Sequence, residues 1–515
     1  MAATEQVEIE TKYDVDEQAS LPALHELPGV VRVSRPVKLE LEAVYYDTEA
    51  LDLAANKVTL RRRSGGEDDG WHVKFPKSSG ERLEVHHPLG RVVRKVPIAV
   101  VRTVRVHVRD YELVPVVTLS TTRVVRRLFD ESGNVLAELA DDRVTATVAP
   151  ELDGAESEGA ESEGADPEGA DPETWREWEF ELVTGDKELL AAADKLLSSA
   201  GATPAAGPSK LARALGDRVS MRDEWELPSK PRTSDLFRAY AGAQVQAIRE
   251  RDPEVRRDVP DSIHKFRVAT RRLRSALATY RPVLDREAGD EIRDELKWLA
   301  GELGVARDAE VQREHFAAEV AEQPVELVMG RVAGRIDDHL RAVYKEGRAG
   351  ALAALESERY FRLLDTLDEL IAQPPLAGDD RKAAKQIPDL LDHDWKRMRK
   401  AVRRSEAAET TAEQDHELHE VRKAAKRLRY AAESAEPALG DEATDLAARA
   451  EEVQETLGAH QDSVVSRDLL RQLAVQVHLD GGNAFTFGRL HAAEEQRGID
   501  SRDAFYALWP SLKLG

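Results

Sequence analysis

In the stretch VEIETKYDV, residues 7–15, the apolar or β-branched Val7, Ile9 and Thr11 alternate with Glu8, Glu10 and Lys12. A period of two marks a β-strand. The pattern returns in ELEAVYYDT, KVTLRRRS, GWHVKFPK, ERLEVHHPL, TLSTTRVVRRLFD, GNVLAELADDRV and WREWEFELV, short runs separated by turn residues within the first 220 positions. At WELPSKPRTS, residues 225–234, a Pro-containing hinge intervenes, and the chain beyond it is rich in Ala, Leu, Glu and Arg at helical spacing. The patterning predicts an α+β multidomain chain: a strand-built region over 1–220, a linker over 221–233 and an all-α region over 234–515. At 515 residues the chain is too long for one core.

The helical region repeats itself. SDLF at 234 matches PDLL at 388, IHKFRVATRRLRSAL at 263 matches LHEVRKAAKRLRYAA at 418, and LGVARDAEV at 303 matches LGAHQDSVV at 457. A near-constant offset over three segments points to a duplicated helical unit, 234–387 and 388–515, and to two bundles side by side. Within the strand region, GAESEGAESEGADPEGADPE at 154–173 carries no aromatic or branched aliphatic residue. Such an acidic repeat cannot offset its ordering entropy, so 151–173 is expected to be a disordered insertion between two strands.

Charge changes the picture of the strands. On one strand, an acidic or basic face is ordinary wet surface. Here Arg61 and Arg63 share a face, as do His72 and Lys74, Arg82 and Glu84, Thr121 and Arg123, Glu138 and Asp142, and Glu177, Glu179 and Glu181. Six such strands fit a barrel whose lumen is polar and whose outside is packed. Carboxylate groups accept hard cations such as Mg²⁺ or Mn²⁺, and Arg and Lys bind phosphate oxygens. A polyanionic phosphate chain carrying a divalent ion would need both. The net charge of −23 argues against general attraction to nucleic acid or anionic membrane, so any anion site must be built locally. There is no cysteine, which excludes disulfides and thiolate metal sites. No apolar run is long enough for a membrane span, no leader is evident, and a cytoplasmic location is expected. No P-loop signature occurs.

The E-x-E-x-K of Glu8, Glu10 and Lys12, followed by LRRR at 60–63, HVK at 72–74, the Arg123 strand, ELADD at 138–142, EWEFEL at 177–182 and SKLARAL at 209–215, resembles the CYTH superfamily of triphosphate tunnel metalloenzymes. The resemblance implies an eight-stranded antiparallel tunnel with flanking helices that hydrolyses or cyclises triphosphates with a divalent metal. It makes Glu8, Glu10, Glu179 and Glu181 metal ligands, with Glu138 or Asp142 as a further one. Lys12, Arg61, Arg63, Lys74, Arg123 and Lys210 become triphosphate binders. Glu8, Glu10 and Lys12 form the catalytic signature. Tyr45 and Tyr46 are expected to pack or to line the tunnel mouth.

On a helix, His264, Arg267, Arg271 and Arg274 form one stripe beside an apolar one, and His419, Arg422, Lys426 and Arg429 repeat it. Like charges at this spacing cost about 0.2–0.5 kcal/mol per neighbour, so an anion site is the better explanation of two copies. A third basic helix aligns Lys396, Arg399 and Arg403. The two histidine stripes resemble the CHAD domain, the conserved-histidine α-helical domain, over about 233–510. That resemblance implies inorganic polyphosphate as the partner and polyphosphate granules as a place of residence. Nucleic acid fits poorly, because no aromatic residues interleave the stripes. The leading functional reading is a metal-dependent inorganic triphosphatase acting on tripolyphosphate, with polyphosphate held by the helices. The alternatives are a non-catalytic polyphosphate-binding protein, and a tunnel enzyme for an organic triphosphate, as a thiamine triphosphatase or adenylate cyclase.

Overall fold

A computed structural model describes residues 4–66, 68–77, 81–90, 95–152, 172–220 and 225–512. The chain divides into two compact units, 1–224 and 225–515. The expected acidic loop lies, at 153–171, outside the described residues, as do 221–224 of the linker.

The first unit has eleven strands among its described residues: β1 (Thr4–Glu8), β2 (Glu10–Asp14), β3 (Arg32–Val33), β4 (Val37–Asp47), β5 (Thr59–Ser64), β6 (Gly70–Pro76), β7 (Arg82–Pro88), β8 (Val114–Phe129), β9 (Val135–Val148), β10 (Glu173–Leu182) and β11 (Thr203–Pro204). They form one antiparallel sheet in the order β1-β7-β6-β5-β4-β8-β9-β10-β2-β11, with β3 on β8. The count exceeds the expected eight for two reasons. Ile9 breaks the first run into β1 and β2, and two-residue strands add at β8 and β2. The break is what closes the wall. β1 pairs with β7 at one end of the sheet and β2 with β10 at the other, while Ile9 joins them and its carbonyl accepts from Leu182 N–H at 3.0 Å.

The apolar positions face out of this tube and are covered by helices. Four α-helices accompany the strands among the described residues: α1 (Asp52–Ala55), α2 (Ile98–Val108), α3 (Lys187–Ser199) and α4 (Lys210–Leu215). Leu60, Trp71, Val73 and Val85 pack with Val100, Val104 and Val108 of α2. Tyr13, Leu139, Trp178 and Phe180 pack with Leu189, Ala193 and Leu197 of α3. Each such side chain contributes about 1.5–3 kcal/mol by burial, and alternation sends its charged neighbours inward.

The second unit contains ten α-helices among its described residues: α5 (Thr233–Arg256), α6 (Ser262–Thr279), α7 (Arg286–Glu302), α8 (Gly304–Ala321), α9 (Val332–Leu355), α10 (Glu358–Ala372), α11 (Ala383–Glu406), α12 (Thr411–Leu439), α13 (Asp441–Leu479) and α14 (Phe485–Leu508). The duplicated segments fall on α5 and α11, on α6 and α12, and on the α7–α8 junction against the middle of α13. The boundary drawn at 387/388 lies inside α11. One core takes Phe316 and Ile336 from the first half with Leu470 and Phe487 from the second, so the halves share a bundle. No helix among the described residues is long and apolar enough to cross a membrane.

Candidate active site

Inside the tube lies a cavity of about 660 Å³. Eight cationic side chains (Lys12, Arg61, Arg63, Lys74, Arg82, Arg123, Arg127 and Lys210) and seven acidic ones (Glu8, Glu10, Asp68, Glu84, Glu138, Glu179 and Glu181) line it. Strand register sets the neighbours: Lys12 lies opposite Glu179, Glu10 opposite Glu181, Lys74 opposite Glu84, and Arg123 opposite Asp142. Helix α4 closes one side. Ser209 caps it by accepting from Ala212 N–H at 3.1 Å, and Leu211, Ala214 and Leu215 seat it on Ala43, Tyr45 and Leu119. Lys210, in its first turn, is thereby driven among the acids.

The charges form two networks. In the first, Lys210 Nζ lies 2.6 Å from Glu177 Oε1, 2.6 Å from Glu179 Oε1 and 2.9 Å from Asp142 Oδ2. Arg123 grips Asp142 through Nε at 2.8 Å and Nη2 at 2.6 Å and also bonds Glu179, while Lys12 reaches Glu179 Oε1 at 2.7 Å and Glu10 at 3.1 Å. Burial would lift these acids, but Lys12, Lys210 and Arg123 hold Glu179 well below the usual carboxylate range, and Arg123 and Lys210 hold Asp142 down too. Asp142, Glu177 and Glu179 offer ligand atoms within 4.8 Å of one another, a group able to hold a metal ion. Lys210 already stands at its centre as the resident cation, so an ion there would have to displace it.

The second network is short of positive charge. Glu8 bonds Lys74 Nζ at 2.5 Å, and His72 Nδ1 meets Glu84 Oε1 at 2.5 Å. Burial, then a hydrogen bond with Glu84, pushes Glu8 up to about 8, while His72, Glu8 and Lys74 hold Glu84 down against burial. Burial and the nearby Glu10 push Glu181 up to about 7, and among the described residues no ion pair serves it. A divalent ion would favour the charged forms of Glu8 and Glu181, and Glu10, which Lys12 holds down against burial, lines the same cavity; the three are candidate ligands, although among the described residues they do not form a close group of ligand atoms. On the phosphate side, Arg61 and Arg63 are loosely held: Arg61 reaches Tyr45 Oη at 3.4 Å and Glu84 at 3.8 Å, Arg63 reaches Asp68 at 3.0 Å, and the buried Nε of each has no hydrogen-bond partner among the described residues.

The cavity thus brings together Glu8, Glu10, Lys12, Arg61, Arg63, Lys74, Arg123, Glu138, Glu179, Glu181 and Lys210. Asp142 sits behind the wall, fully buried under Arg123 and Lys210, whereas Glu138 faces the cavity and pairs with Arg127 at 2.7 Å. Glu84 received no role from sequence, although its place opposite Lys74 on an alternating strand was a usable signal. Tyr45 lines the cavity and Tyr46 packs on Trp71 outside it.

In the helical unit, α6 and α12 bring Arg267, Arg271, Arg422 and Lys426 near one another. Burial, then Arg422 and Arg271, pushes Lys426 down to about 7, with only Asp462 pulling the other way. Arg267 donates to Gly304 O at 3.1 Å, and Arg422 to Gln454 O at 3.4 Å. Each guanidinium lies over a glycine of the other repeated segment, Gly304 or Gly458, 3.5 Å from where a Cβ would stand. The LG segments and the stripes recur together because they touch. His264 and His419 are half-buried at the same end, and burial and neighbouring cations lower both. Arg274 instead stands by Arg293, and Arg429 is taken by Glu433 at 2.9 Å and Glu451 at 2.7 Å. Lys396, Arg399 and Arg403 are exposed on α11, Lys396 paired with Asp392 at 2.6 Å.

The CYTH domain is matched over residues 6–215 and the CHAD domain over 239–471. An uncharacterised protein of Mycobacterium tuberculosis, present in strains CDC 1551 and H37Rv, is 39% identical over 499 residues, 95% of this chain and 93% of its own. Among solved structures, PptA from Streptomyces chartreusis is 22% identical over 54% of this chain and 99% of its own, with a TM-score of 0.46. The CHAD domain from the plant Ricinus communis is 27% identical over 56% of this chain and 95% of its own, with a TM-score of 0.45. The chain belongs to the family of proteins in which a CYTH triphosphate tunnel domain is followed by a CHAD domain.

Proposed function

We propose that the tunnel hydrolyses tripolyphosphate with Mg²⁺ or Mn²⁺, and that the helical unit holds a longer inorganic polyphosphate on the paired stripes. The charge balance of the cavity carries the reading. Eight cationic groups and seven acidic ones line the same cavity, so it presents donors for phosphate oxygens and carboxyl groups for a cation together. A triphosphate that brings a divalent ion with it would use both, with Glu8, Glu10 and Glu181 as the carboxylates that take the ion. Bound there, a divalent ion would neutralise phosphate charge and make water a better nucleophile. Arg61, Arg63 and Arg123 then donate to phosphate oxygens and orient the chain, and Lys12 and Lys74 lie between the acids and the phosphates. Glu8, whose carboxyl burial and Glu84 push up to about 8, would hold such an ion as a carboxylate and release its proton to solvent. The test is phosphate release from tripolyphosphate, ATP and thiamine triphosphate side by side, with and without Mg²⁺. Release from none of them would overturn the enzymatic reading in favour of a binding protein.

One observation favours an organic triphosphate as a second reading. Val37, Leu39, Leu41, Val125 and Phe129 form an apolar strip on the same cavity wall as Arg123. Tripolyphosphate has no use for it, whereas an organic head group would pack there. Faster release from ATP or thiamine triphosphate than from tripolyphosphate would select that class.

A further inference from the structure

One residue on from Lys426, and so about 100° further round α12, Arg427 faces a different cavity. This cavity, of about 640 Å³, opens among α6, α7, α11 and α12. Arg281, Arg286, Arg293, Arg381, Arg397 and Arg427 line it, with Asp389 the one acid on the wall. Behind them stand too few carboxylates. Asp290 serves Arg281, Arg293 at 2.7 Å and Arg286 at 4.0 Å; Asp394 is shared by Arg427 and Thr279, each at 2.7 Å; Arg381 reaches Asp379 at 3.1 Å and Asp389 at 3.7 Å. Arg397 has no ion-pair partner among the described residues, and the buried Nε atoms of Arg281 and Arg293 have no hydrogen-bond acceptor.

The duplication shows that this concentration is not needed to fold a repeat. The counterpart of Arg427 is Arg272, which shares Glu433 with Arg429, at 3.1 Å and 2.9 Å. At the offset of 154 that relates SDLF to PDLL and the two LG segments, Arg293 and Arg397 correspond to Ala447 and Ala243. Arg293 has no charged counterpart in the second copy and Arg397 none in the first, so each copy brings to the pocket an arginine that the other folds without. Guanidiniums match phosphate oxygens two bonds at a time and are only weakly hydrated.

We propose that this pocket is a second oligophosphate site, separate from the paired stripes, which takes a short run of phosphates from a linear polyphosphate. The proposal rests on the reading that the helical unit binds polyphosphate. A chain engaged at both places gains by effective concentration what neither site has alone.

The experiment is calorimetric titration of the full chain with inorganic polyphosphate of defined length at several salt concentrations. The variants are Arg293→Gln/Arg397→Gln, Arg397→Glu alone, and the stripe variant Arg271→Gln/Arg422→Gln. Arg397 is exposed and unpaired, so its reversal does not put folding at stake. Both pocket variants should bind at least tenfold more weakly, at about the ratio expected for lost charge-assisted bonds. The slope of log affinity on log salt should become shallower by about 0.7 per lost contact. Wild-type affinity and slope in the pocket variants, with loss only in the stripe variant, would overturn the inference and leave the stripes standing. Loss only in the pocket variants would support the inference and overturn the stripes. No binding by the wild type would overturn both.

Discussion

Divalent-metal binding should expel protons from the tunnel. Glu8 stands at about 8 and Glu181 at about 7, because burial and neighbouring acids disfavour their charged forms. At pH 7 the first is about 0.9 protonated and the second about half, so an ion that takes both as carboxylates releases about 1.4 protons. Between pH 6 and 8 the two linkages together strengthen binding on the order of 100-fold or more, about 3–4 kcal/mol at roughly 1.36 kcal/mol per unit. Titration calorimetry with Mg²⁺ in buffers of different ionisation enthalpy measures the released protons directly. Glu8→Gln removes the larger share and should leave about 0.5 proton. Release below about 0.3 proton in the wild type, with affinity flat from pH 6 to 8, would refute the assignment of these carboxylates to the metal.

Arg63→Gln should cut phosphate release sharply with little effect on stability, because its guanidinium has one side-chain partner, Asp68, at 3.0 Å. Arg123→Ala, by contrast, strands Asp142 and Glu179 in a buried site and should lower stability by about 3–5 kcal/mol in urea unfolding. Without metal, the folded protein should lose stability as pH rises through the folded values of Glu181 and Glu8. A carboxyl raised on folding contributes fully below its unfolded value of 4.5 and is lost above its folded one. Glu8→Gln should then melt higher than wild type at pH 8 in EDTA, and an unchanged melting temperature would contradict this. Polyphosphate binding should take up a proton near pH 7–8, since Lys426, held at about 7 by burial and neighbouring arginines, is charged by an arriving anion. Affinity should therefore fall as pH rises, and Lys426→Gln should abolish the uptake in calorimetry.

Period-two alternation made the tunnel legible, because most inward charges have an outward apolar neighbour that α2, α3 or α4 covers. Parity cannot show where a strand changes partners. The switch at Ile9, which closes the wall and makes two strands of one, depends on β7 and β10, which lie 68 residues or more along the chain. Nor can parity separate a charge that faces the cavity from one sealed behind it. Glu138 and Asp142 share a parity on β9, yet Asp142 is claimed by Arg123 and Lys210 while Glu138 stays in the cavity. In the helices, spacing fixes a face but not what covers it at each height. Arg267 and Arg271 meet Arg422 and Lys426 across α12, whereas Arg274, further along the same face, lies against α7 and Arg293. The arginine pocket was illegible because its members come from four helices and the loops beside them.

The most direct measurement is anomalous scattering from crystals grown with Mn²⁺ and a slowly hydrolysed tripolyphosphate analogue. Manganese within bonding distance of Glu8, Glu10 and Glu181, with phosphate oxygens on Arg61, Arg63 and Arg123, is the predicted result. Manganese confined to the outer surface, or phosphates lodged away from those arginines, would contradict the meeting of cation and oxyanion inside the tunnel.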